Sequence, residues 1–462
     1  MTRRWGYGVG MFVAVAVVGN WLGVEGRGQA PPQPIPLPEK IVQPWREAGA
    51  KVGWLRRDRQ TGELEFVPLE EGQAGDLPAF ALPVNQPLSR LPDPGVPFGL
   101  DLSASQLAGK GLKALADLKN LQALDLGNSD ITDANLKELA GLKNLQWLNL
   151  SFSQITDAGL KELVGLKNLQ GLLLRNAKIT DAGVKELAGL NQLQILNLSL
   201  TQITDAGAKE LARLKELRSL SLDDTKITDA GVKELVGLKN LHLLTLGGTR
   251  ITDAGVKELA GLKELRVLGL DGTKITDAGL KVVATFHDLQ GLILHETRIT
   301  DAGVKELAGL KHLQILELGG TKITDASLKV VAEFPHLEML GLSFTAISDA
   351  GLKEVAKLTK LQRLFLGGTP ITDAGLKELT GLKHLQELIL GRTQITDAGL
   401  KELAGLKNLR ILILENTRIT DAGVKELAGL KNLQRLKLGR TQVTMVGIQE
   451  LQKALPGCRI FK

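Results

Sequence analysis

The sequence predicts an α/β solenoid, with a parallel sheet on its concave face and short helices on its convex face. From Leu121 onward a 24-residue unit recurs without insertion or deletion, and fourteen full copies follow one another. Within each copy the spacing of apolar residues changes once, from the alternation of a strand to the period of a helix. The core must be aliphatic, because 43% of the residues are hydrophobic while only 3% are aromatic. A strict repeat of this kind predicts one stacked array in place of separate globular domains.

The first thirty residues predict a secretory signal peptide. Two arginines precede an uncharged stretch, residues 5–24, which has an apolar centre. Gly28 and Ala30 then supply the small residues of a cleavage site before Pro31. We therefore expect residues 1–30 to be removed on export. An uncleaved N-terminal membrane anchor is the alternative, because the stretch is just long enough for a spanning helix of roughly 20 residues.

Two predicted segments lie between the signal and the array. Residues 31–40 are rich in proline, which removes backbone donors, and they predict an extended linker. Residues 41–98 predict an N-terminal cap that covers the first repeat. Inside this cap we expect a helical turn at 45–50 and two short strands between Val52 and Val67.

The repeat array is expected to span residues 99–456, as one partial repeat and fourteen full repeats, followed by a capping strand at 457–462. In the copy at 385–408, Thr396 is expected to cap the helix, and Asp397 to stand where the helix dipole favours an anion. A single unit buries too little apolar surface to fold alone, so only the stacked array is stable. The apolar positions of this copy are Leu388 and Leu390 on the strand, and Leu400, Leu403 and Leu406 on the helix.

The repeated pattern Leu-x-x-Leu-x-Leu-x-x-Thr-x-Ile-Thr-Asp-Ala-Gly-Leu-Lys-x-Leu resembles the leucine-rich repeat. It is most similar to the bacterial Thr-Asp-Ala-Gly type, which is related to ribonuclease-inhibitor-like and F-box-associated repeats. The resemblance covers about residues 99–462 and implies a horseshoe-shaped solenoid. The ninth position, commonly Asn or Cys in the family, is Thr in eleven copies here, Ser129 and Ser153 in two, and Ala177 in one. We interpret these hydroxyls as structural groups that bond neighbouring backbone.

The residues give no sign of catalysis. The sequence contains no nucleophile-elbow, zinc-protease or Walker A motif. Cys458 is the only cysteine, which excludes a disulfide framework and a multi-cysteine metal site. The net charge of +6 is small for a chain with 23% charged residues, which argues against a nucleic-acid partner. We expect a protein that is not an enzyme and has no cofactor and no metal; a calcium site among acidic residues of the strands is the alternative.

The ligand is expected on the concave face, where strand residues vary between otherwise constant repeats. Apolar side chains are predicted to be exposed on this face, which suggests that a ligand covers them. Random variation among residues that favour strands is the alternative explanation. Acidic residues cluster in the middle of the array and basic residues follow, either as a charged footprint or as groups that neutralise each other. The predicted ligand-binding residues are Trp147, Leu173, Asp223, Asp224, Asp271, Ile293, His295, Glu296, Glu317, Met339, Phe365, Arg363 and Arg392.

These features predict an exported protein-binding module of the periplasm, cell envelope or extracellular space. Its partner is expected to be a protein. A structural or adhesive envelope component that binds glycan is the second hypothesis. A third, an intracellular ubiquitin-ligase-like adaptor, follows from the F-box resemblance, but the export signal argues against it. Membrane insertion is expected only if the N-terminal segment stays uncleaved as an anchor.

Overall fold

The computed structural model describes residues 34–83, 91–107 and 112–462. The predicted signal peptide lies outside the described residues, as do the first three residues of the predicted linker. The chain divides into two compact units. The first runs to Ile251 and includes Gly261–Leu265, and the second comprises Thr252–Ala260 and Arg266–Lys462.

The first unit opens with a helix and a small antiparallel sheet. Helix α1 is Glu39–Glu47, and strands β1, β2, β3 and β4 are Lys51–Arg57, Leu64–Pro68, Leu77–Ala81 and Phe98–Asp101. Strand β1 pairs antiparallel with both β2 and β3, and β3 pairs in parallel with β4. The Trp45 ring of α1 stacks on Phe80 of β3, with ring centroids 4.0 Å apart. Helix α1 begins at Glu39, inside the predicted linker of residues 31–40, so the linker is shorter than predicted. Val42 and Trp45 lie one turn apart on this helix and are both buried.

The repeats of the first unit alternate a strand with a short helix. Each strand from β4 to β10 pairs in parallel with the next. Strands β5–β10 are Leu121–Asp125, Trp147–Asn149, Gly171–Leu173, Ile195–Asn197, Ser219–Ser221 and Leu243–Thr245. Helices α2–α6 are Asp133–Leu136, Asp157–Leu163, Asp181–Leu187, Asp205–Leu211 and Asp229–Leu235.

The second unit continues the same alternation, and its strands β11–β19 also pair in parallel, each with the next. These strands are Val267–Gly269, Gly291–Ile293, Ile315–Glu317, Met339–Gly341, Arg363–Phe365, Glu387–Ile389, Ile411–Ile413, Arg435–Lys437 and Arg459–Phe461. Helices α7–α15 are Asp253–Glu258, Asp277–Val283, Asp301–Glu306, Asp325–Val331, Asp349–Val355, Asp373–Glu378, Asp397–Leu403, Asp421–Lys425 and Met445–Ala454. The predicted repeat of strand and helix is confirmed in both units.

Threonine caps the start of most repeat helices, as the sequence predicts, and Ser348 takes this role at α11. In α13 the Thr396 hydroxyl accepts a hydrogen bond from the Ala398 N–H at 3.3 Å. The aspartate at each helix start also has a role that the helix dipole does not explain. Asp373, at the start of α12, accepts from the Thr396 N–H at 2.8 Å and from the Thr396 hydroxyl at 2.6 Å. Asp157 and Thr180 form the same pair in the first unit, so a carboxylate of this kind joins its own repeat to the next in both units.

The ninth-position hydroxyls are structural groups that bond backbone, as predicted, and they do so within their own repeat. The Thr393 hydroxyl donates to the Leu390 carbonyl at 2.6 Å, three residues earlier in its own repeat. Thr417 and Leu414 form the same pair in the next repeat. These hydroxyls are buried and satisfied within one repeat, so they close the turn after each strand.

Candidate functional site

In each unit, one side of the sheet carries the first and third residues of the three-residue strands. We call this side the strand face. The middle residues, such as Leu388 in β16, point to the opposite side and are fully buried. The strand face is where the sequence places a ligand. Seven predicted ligand residues lie on strands: Trp147, Leu173, Ile293, Glu317, Met339, Arg363 and Phe365. Six lie in the turns that follow strands: Asp223, Asp224, Asp271, His295, Glu296 and Arg392.

In the first unit, the hairpin of β1 and β2 lies on the strand face of β5–β8. Leu55 of the hairpin belongs to one buried cluster with Trp147, Leu173 and Ile195. At the hairpin tip, a Cβ atom on Gly62 would stand 2.9 Å from Ile195 Cγ2. Trp147 and Leu173 are only 5% and 2% exposed. Their predicted exposure is therefore wrong, because another segment of the same chain covers them.

Charged groups of the hairpin also lie against this face. The guanidinium carbon of Arg57 lies 4.0 Å from the centroid of the Trp147 ring, a cation–π distance. Burial raises the pKa of Glu63, which follows the tip, while the positive charge of Arg175 opposes this rise. Burial also raises the pKa of Asp125 on β5 to about 7, and the nearby negative charge of Glu63 adds to it. The sequence gives no local signal for these contacts, since they join residues far apart in the chain.

Asp223 is a structural carboxylate and not an open ligand group. It is buried, and it accepts hydrogen bonds from the Ser199 hydroxyl at 3.1 Å, the Thr245 hydroxyl at 2.6 Å and the Gly247 N–H at 2.8 Å. Burial raises its pKa while these donors oppose the rise. The adjacent Asp224 is half-buried, and burial likewise raises its pKa. Asp223 thus joins three consecutive repeats of the first unit.

The second unit brings together four of the predicted polar residues. His295 Nε2 lies 3.5 Å from Glu296 Oε1, and His295 Nδ1 lies 3.9 Å from Glu317 Oε1. Burial lowers the pKa of His295, while the charge of Glu296 opposes this. Burial raises the pKa of Glu317 to about 7, and the charge of Asp271 adds to the rise. We call Asp271, His295, Glu296 and Glu317 the acidic cluster.

Glu317 occupies an unusual position in the acidic cluster. Its side chain crosses to the neighbouring strand and fills the space where Gly341 has no Cβ atom. The Oε2 atom is buried and has no hydrogen-bond partner among the described residues. Burial of this carboxylate, with one oxygen unpartnered, disfavours its charged form and raises its pKa, while a hydrogen bond from the Gly319 N–H opposes the rise.

The apolar residues predicted on the strand face of the second unit are present there, but most are covered. Ile293, Met339 and Phe365 are 4%, 2% and 5% exposed. Adjacent strands stand about 4.8 Å apart, so side chains in register shield one another. Phe365, for example, stands in register beside Ile389 on one side, and on the other side Glu317 fills the space beside Gly341. The expectation that Ile293, Met339 and Phe365 are exposed is therefore wrong.

The strand face is more open toward the last repeats. Ile389, Ile411 and Ile413 are half-buried, and Arg435 on β18 is exposed. Arg363 Nε lies 3.9 Å from Glu387 Oε2, and both side chains are partly covered. Burial lowers the pKa of Arg363 and raises that of Glu387, and in each case the opposite charge of the partner opposes the shift.

Phe344 and Arg392 stand on the edge of this open region. Both occupy the eighth position of their repeats, with φ angles of 59° and 60°. Glycine stands at this position in four of the fourteen copies, and a larger residue in the other ten. Phe344 is 55% exposed, and its ring fills the space beside Gly368 of the following repeat. The Arg392 guanidinium carbon lies 6.0 Å from the ring centroid. Phe344 is not among the predicted ligand residues. The available signal was a large apolar residue at a left-handed turn position, which Phe152 and Leu200 share.

Neither a metal centre nor a membrane span is found within the described ranges. No three His, Cys, Asp or Glu side chains there are arranged to hold a metal ion. No helix in the same residues is both long enough and apolar enough to cross a bilayer.

Comparisons with known proteins identify the repeat. A model of the leucine-rich repeat region matches residues 276–457, and a second leucine-rich repeat model matches residues 99–155, 167–227 and 215–275. An internalin from Listeria monocytogenes is 28% identical over 68% of this chain and 86% of its own, with a TM-score of 0.51. A leucine-rich repeat protein of Leptospira interrogans is 29% identical over 80% of this chain and 96% of its own, with a TM-score of 0.49. No curated protein sequence gives a match.

Proposed function

The chain is a leucine-rich repeat protein, and we propose that it is a non-enzymatic module that binds another protein on its strand face. Leucine-rich repeat proteins are typically binding modules without enzymatic activity, and their repeats generally mediate protein binding. One observation carries the choice of surface. Three aliphatic side chains of the second unit, Ile389, Ile411 and Ile413, keep part of their area open to solvent on the strand face. Half-open aliphatic groups of this kind are typical of an interface.

We assign the ligand to the second unit, because the hairpin covers the strand face of the first unit. There the ligand surface would otherwise include Trp147 and Leu173, which the hairpin buries. In the second unit, Ile293, Met339 and Phe365 are too deeply packed to serve as direct anchors. The ligand therefore contacts the later strands, β16–β18, where isoleucines and exposed basic groups lie side by side.

Site-specific photocrosslinking in the full chain tests this proposal. A benzoyl-phenylalanine at Ile413, on the strand face, is expected to form a saturable adduct with a protein of the native extract. The same group at Lys401, an exposed position on helix α13, is the matched control and should give none. Adducts from position 401 alone would contradict the strand-face assignment. Loss of the 413 adduct on addition of free glycan would favour the adhesive hypothesis.

The location is part of the same proposal. We infer export to the periplasm, cell envelope or extracellular space from the signal-like residues 1–30. N-terminal sequencing of the native protein is expected to find Pro31 as the first residue. An intact Met1 on membrane-bound protein would mean that the segment is an anchor, and an intact Met1 on soluble cytosolic protein would overturn export.

A further inference from the structure

The charge of the strand face changes sign along the second unit. We consider the first, third, fifth and sixth positions counted from the start of each strand. On β11–β14 and the turns after them, these positions carry three carboxylates, Asp271, Glu296 and Glu317, and no Lys or Arg. On β15–β18 the same positions carry two carboxylates, Glu387 and Glu415, and five basic residues. The basic residues are Arg363, Arg392, Arg435, Lys437 and Arg440.

Most of the positive charge of β15–β18 is available to a ligand. Glu387 faces Arg363, so this pair is largely neutral toward a ligand. Arg392, Arg435 and Arg440 are exposed, and Lys437 is half-buried. In the part of the chain that the structure describes, no carboxylate lies within 4.0 Å of the charged groups of these four residues.

The basic and aliphatic groups of this region are interleaved. Arg435 and Lys437 alternate along β18, so they point to the same face about 7 Å apart. The register places Ile411 beside Arg435 and Ile413 beside Lys437. An extended peptide also presents alternate side chains about 7 Å apart. A peptide with this repeat can place carboxylates on the basic groups while its aliphatic side chains contact the isoleucines.

Arg392 and Arg440 add to this pattern at the edge of the face. Both adopt left-handed backbone conformations, with φ angles of 60° and 58°, at a position where Gly320 and Gly368 stand in other repeats. A long side chain is disfavoured in this conformation. Ten of the fourteen repeats nevertheless have a residue other than glycine there, so Arg392 and Arg440 contribute through their exposed positive charge and not through this conformation.

Resting on the proposed function, we propose that the strand face of β15–β18 binds an extended acidic segment of a partner protein. The acidic side chains of the segment contact Arg392, Arg435, Lys437 and Arg440, and its aliphatic side chains contact Ile389, Ile411 and Ile413. On β15–β18 the apolar side chains open to solvent are isoleucines, which suit a peptide. The exposed rings of Phe344 and Phe461 lie beside them, so a single-stranded nucleic acid is the alternative that the titration below tests.

A displayed library of random decapeptides, selected against the full chain, tests this inference. The selected peptides are expected to be enriched in Asp and Glu with interspersed Leu, Ile or Val. The peptide that binds most tightly is then synthesised in three forms and titrated against the full chain. One form keeps its Glu residues, one has Gln in place of each Glu, and one has Lys in place of each Glu. The Glu form is expected to bind at least about tenfold more tightly than the Gln form, and to weaken as salt is raised. A single-stranded oligonucleotide of the same net charge is titrated beside it, and tighter binding of the oligonucleotide would overturn the peptide assignment.

Two matched charge-reversal variants locate the binding. R435E/K437E on the strand face is expected to weaken binding of the Glu peptide by at least about tenfold. K377E/K401E changes the same total charge on exposed helix positions and should leave the affinity unchanged. Selection of neutral or basic peptides, or equal binding to both variants, would overturn the inference.

The closing measurement separates this inference from the proposed function. A variant with Ile389 and Ile413 both changed to Asn retains the basic residues, adds no charge and disrupts only the aliphatic surface. If selected peptides are not acidic but still lose binding to this variant, the strand face binds protein and only the acidic class is wrong. If the acidic peptides bind this variant and R435E/K437E as they bind the native chain, both the inference and the strand-face proposal fail.

Discussion

The guanidinium carbon of Arg57 lies 4.0 Å from the centroid of the Trp147 ring. Arg57 ends strand β1, and Trp147 begins strand β6 in the second full repeat. The contact therefore joins a segment that precedes the array to a face on which the sequence predicts a ligand. It makes the hairpin of β1 and β2 an integral part of the first unit.

Substitution R57M is expected to loosen the hairpin without unfolding the repeats. Methionine retains much of the apolar stem but loses the charge over the ring, which costs about 0.5–1 kcal/mol at a site that stays partly exposed. Hydrogen exchange of the β1 and β2 amides should become faster while exchange in β9 and β10 does not change. R59M, an exposed arginine in the same hairpin, is the control. Equal exchange in both variants would mean that the ring contact does not hold the hairpin.

Two glycines with similar backbone angles test how closely the hairpin tip approaches the sheet. Gly62 has a φ of 74° and Gly95 a φ of 72°. A Cβ at position 62 would meet Ile195, whereas one at position 95 has no atom within 4 Å. Both changes to alanine cost about 1 kcal/mol of backbone strain, so any excess for G62A measures the steric contact. We expect G62A to lower the thermal midpoint more than G95A. Equal midpoints would show that the tip stands away from the strand face.

Glu317 should make the stability of the second unit depend on pH. Burial raises its pKa from an ordinary 4.5 to about 7. The folded state then binds more protons than the unfolded state between these values, so this contribution is greatest at low pH and is lost as pH rises from 4.5 through 7. E317Q mimics the protonated form and should be more stable than the native chain at pH 8, by about 1–3 kcal/mol.

Hydrogen exchange in β13 and β14 at pH 4.5 and pH 8 measures this effect. The advantage of E317Q should be largest at pH 8 and absent at pH 4.5. E306Q, an exposed change on helix α9, should behave as the native chain at both values. A constant difference between E317Q and the native chain would contradict a titration at Glu317.

The aspartate that begins each helix should stabilise the following repeat. D373A removes the acceptor of two hydrogen bonds from Thr396, at 2.8 and 2.6 Å. The expected loss is about 1–3 kcal/mol, since the partner N–H and hydroxyl lose their acceptor. Asparagine retains one acceptor oxygen, so D373N should lose less. K377A on the same helix is the control, and a D373A midpoint equal to that of K377A would show that the carboxylate does not stabilise the following repeat.

Only part of the candidate surface could be predicted from the sequence. Placement of Glu317, Arg363 and Phe365 on strands follows from the repeat register, and the structure has them there. Their exposure does not follow from it. Register does not reveal that Trp147 lies under a hairpin, that Asp223 bonds to three repeats, or that Glu317 extends over Gly341.

The sequence by itself determined the parallel strands, the short helices, the Thr caps and the buried leucine positions. These features depend on residues within one 24-residue unit, and every copy repeats the same information. The tertiary structure alone decided which part of the strand face remains open, because this depends on contacts such as Gly62 with Ile195, which no spacing within a unit encodes. It also decided the pKa values of Asp125 and Glu317, because desolvation of a carboxylate depends on everything packed around it.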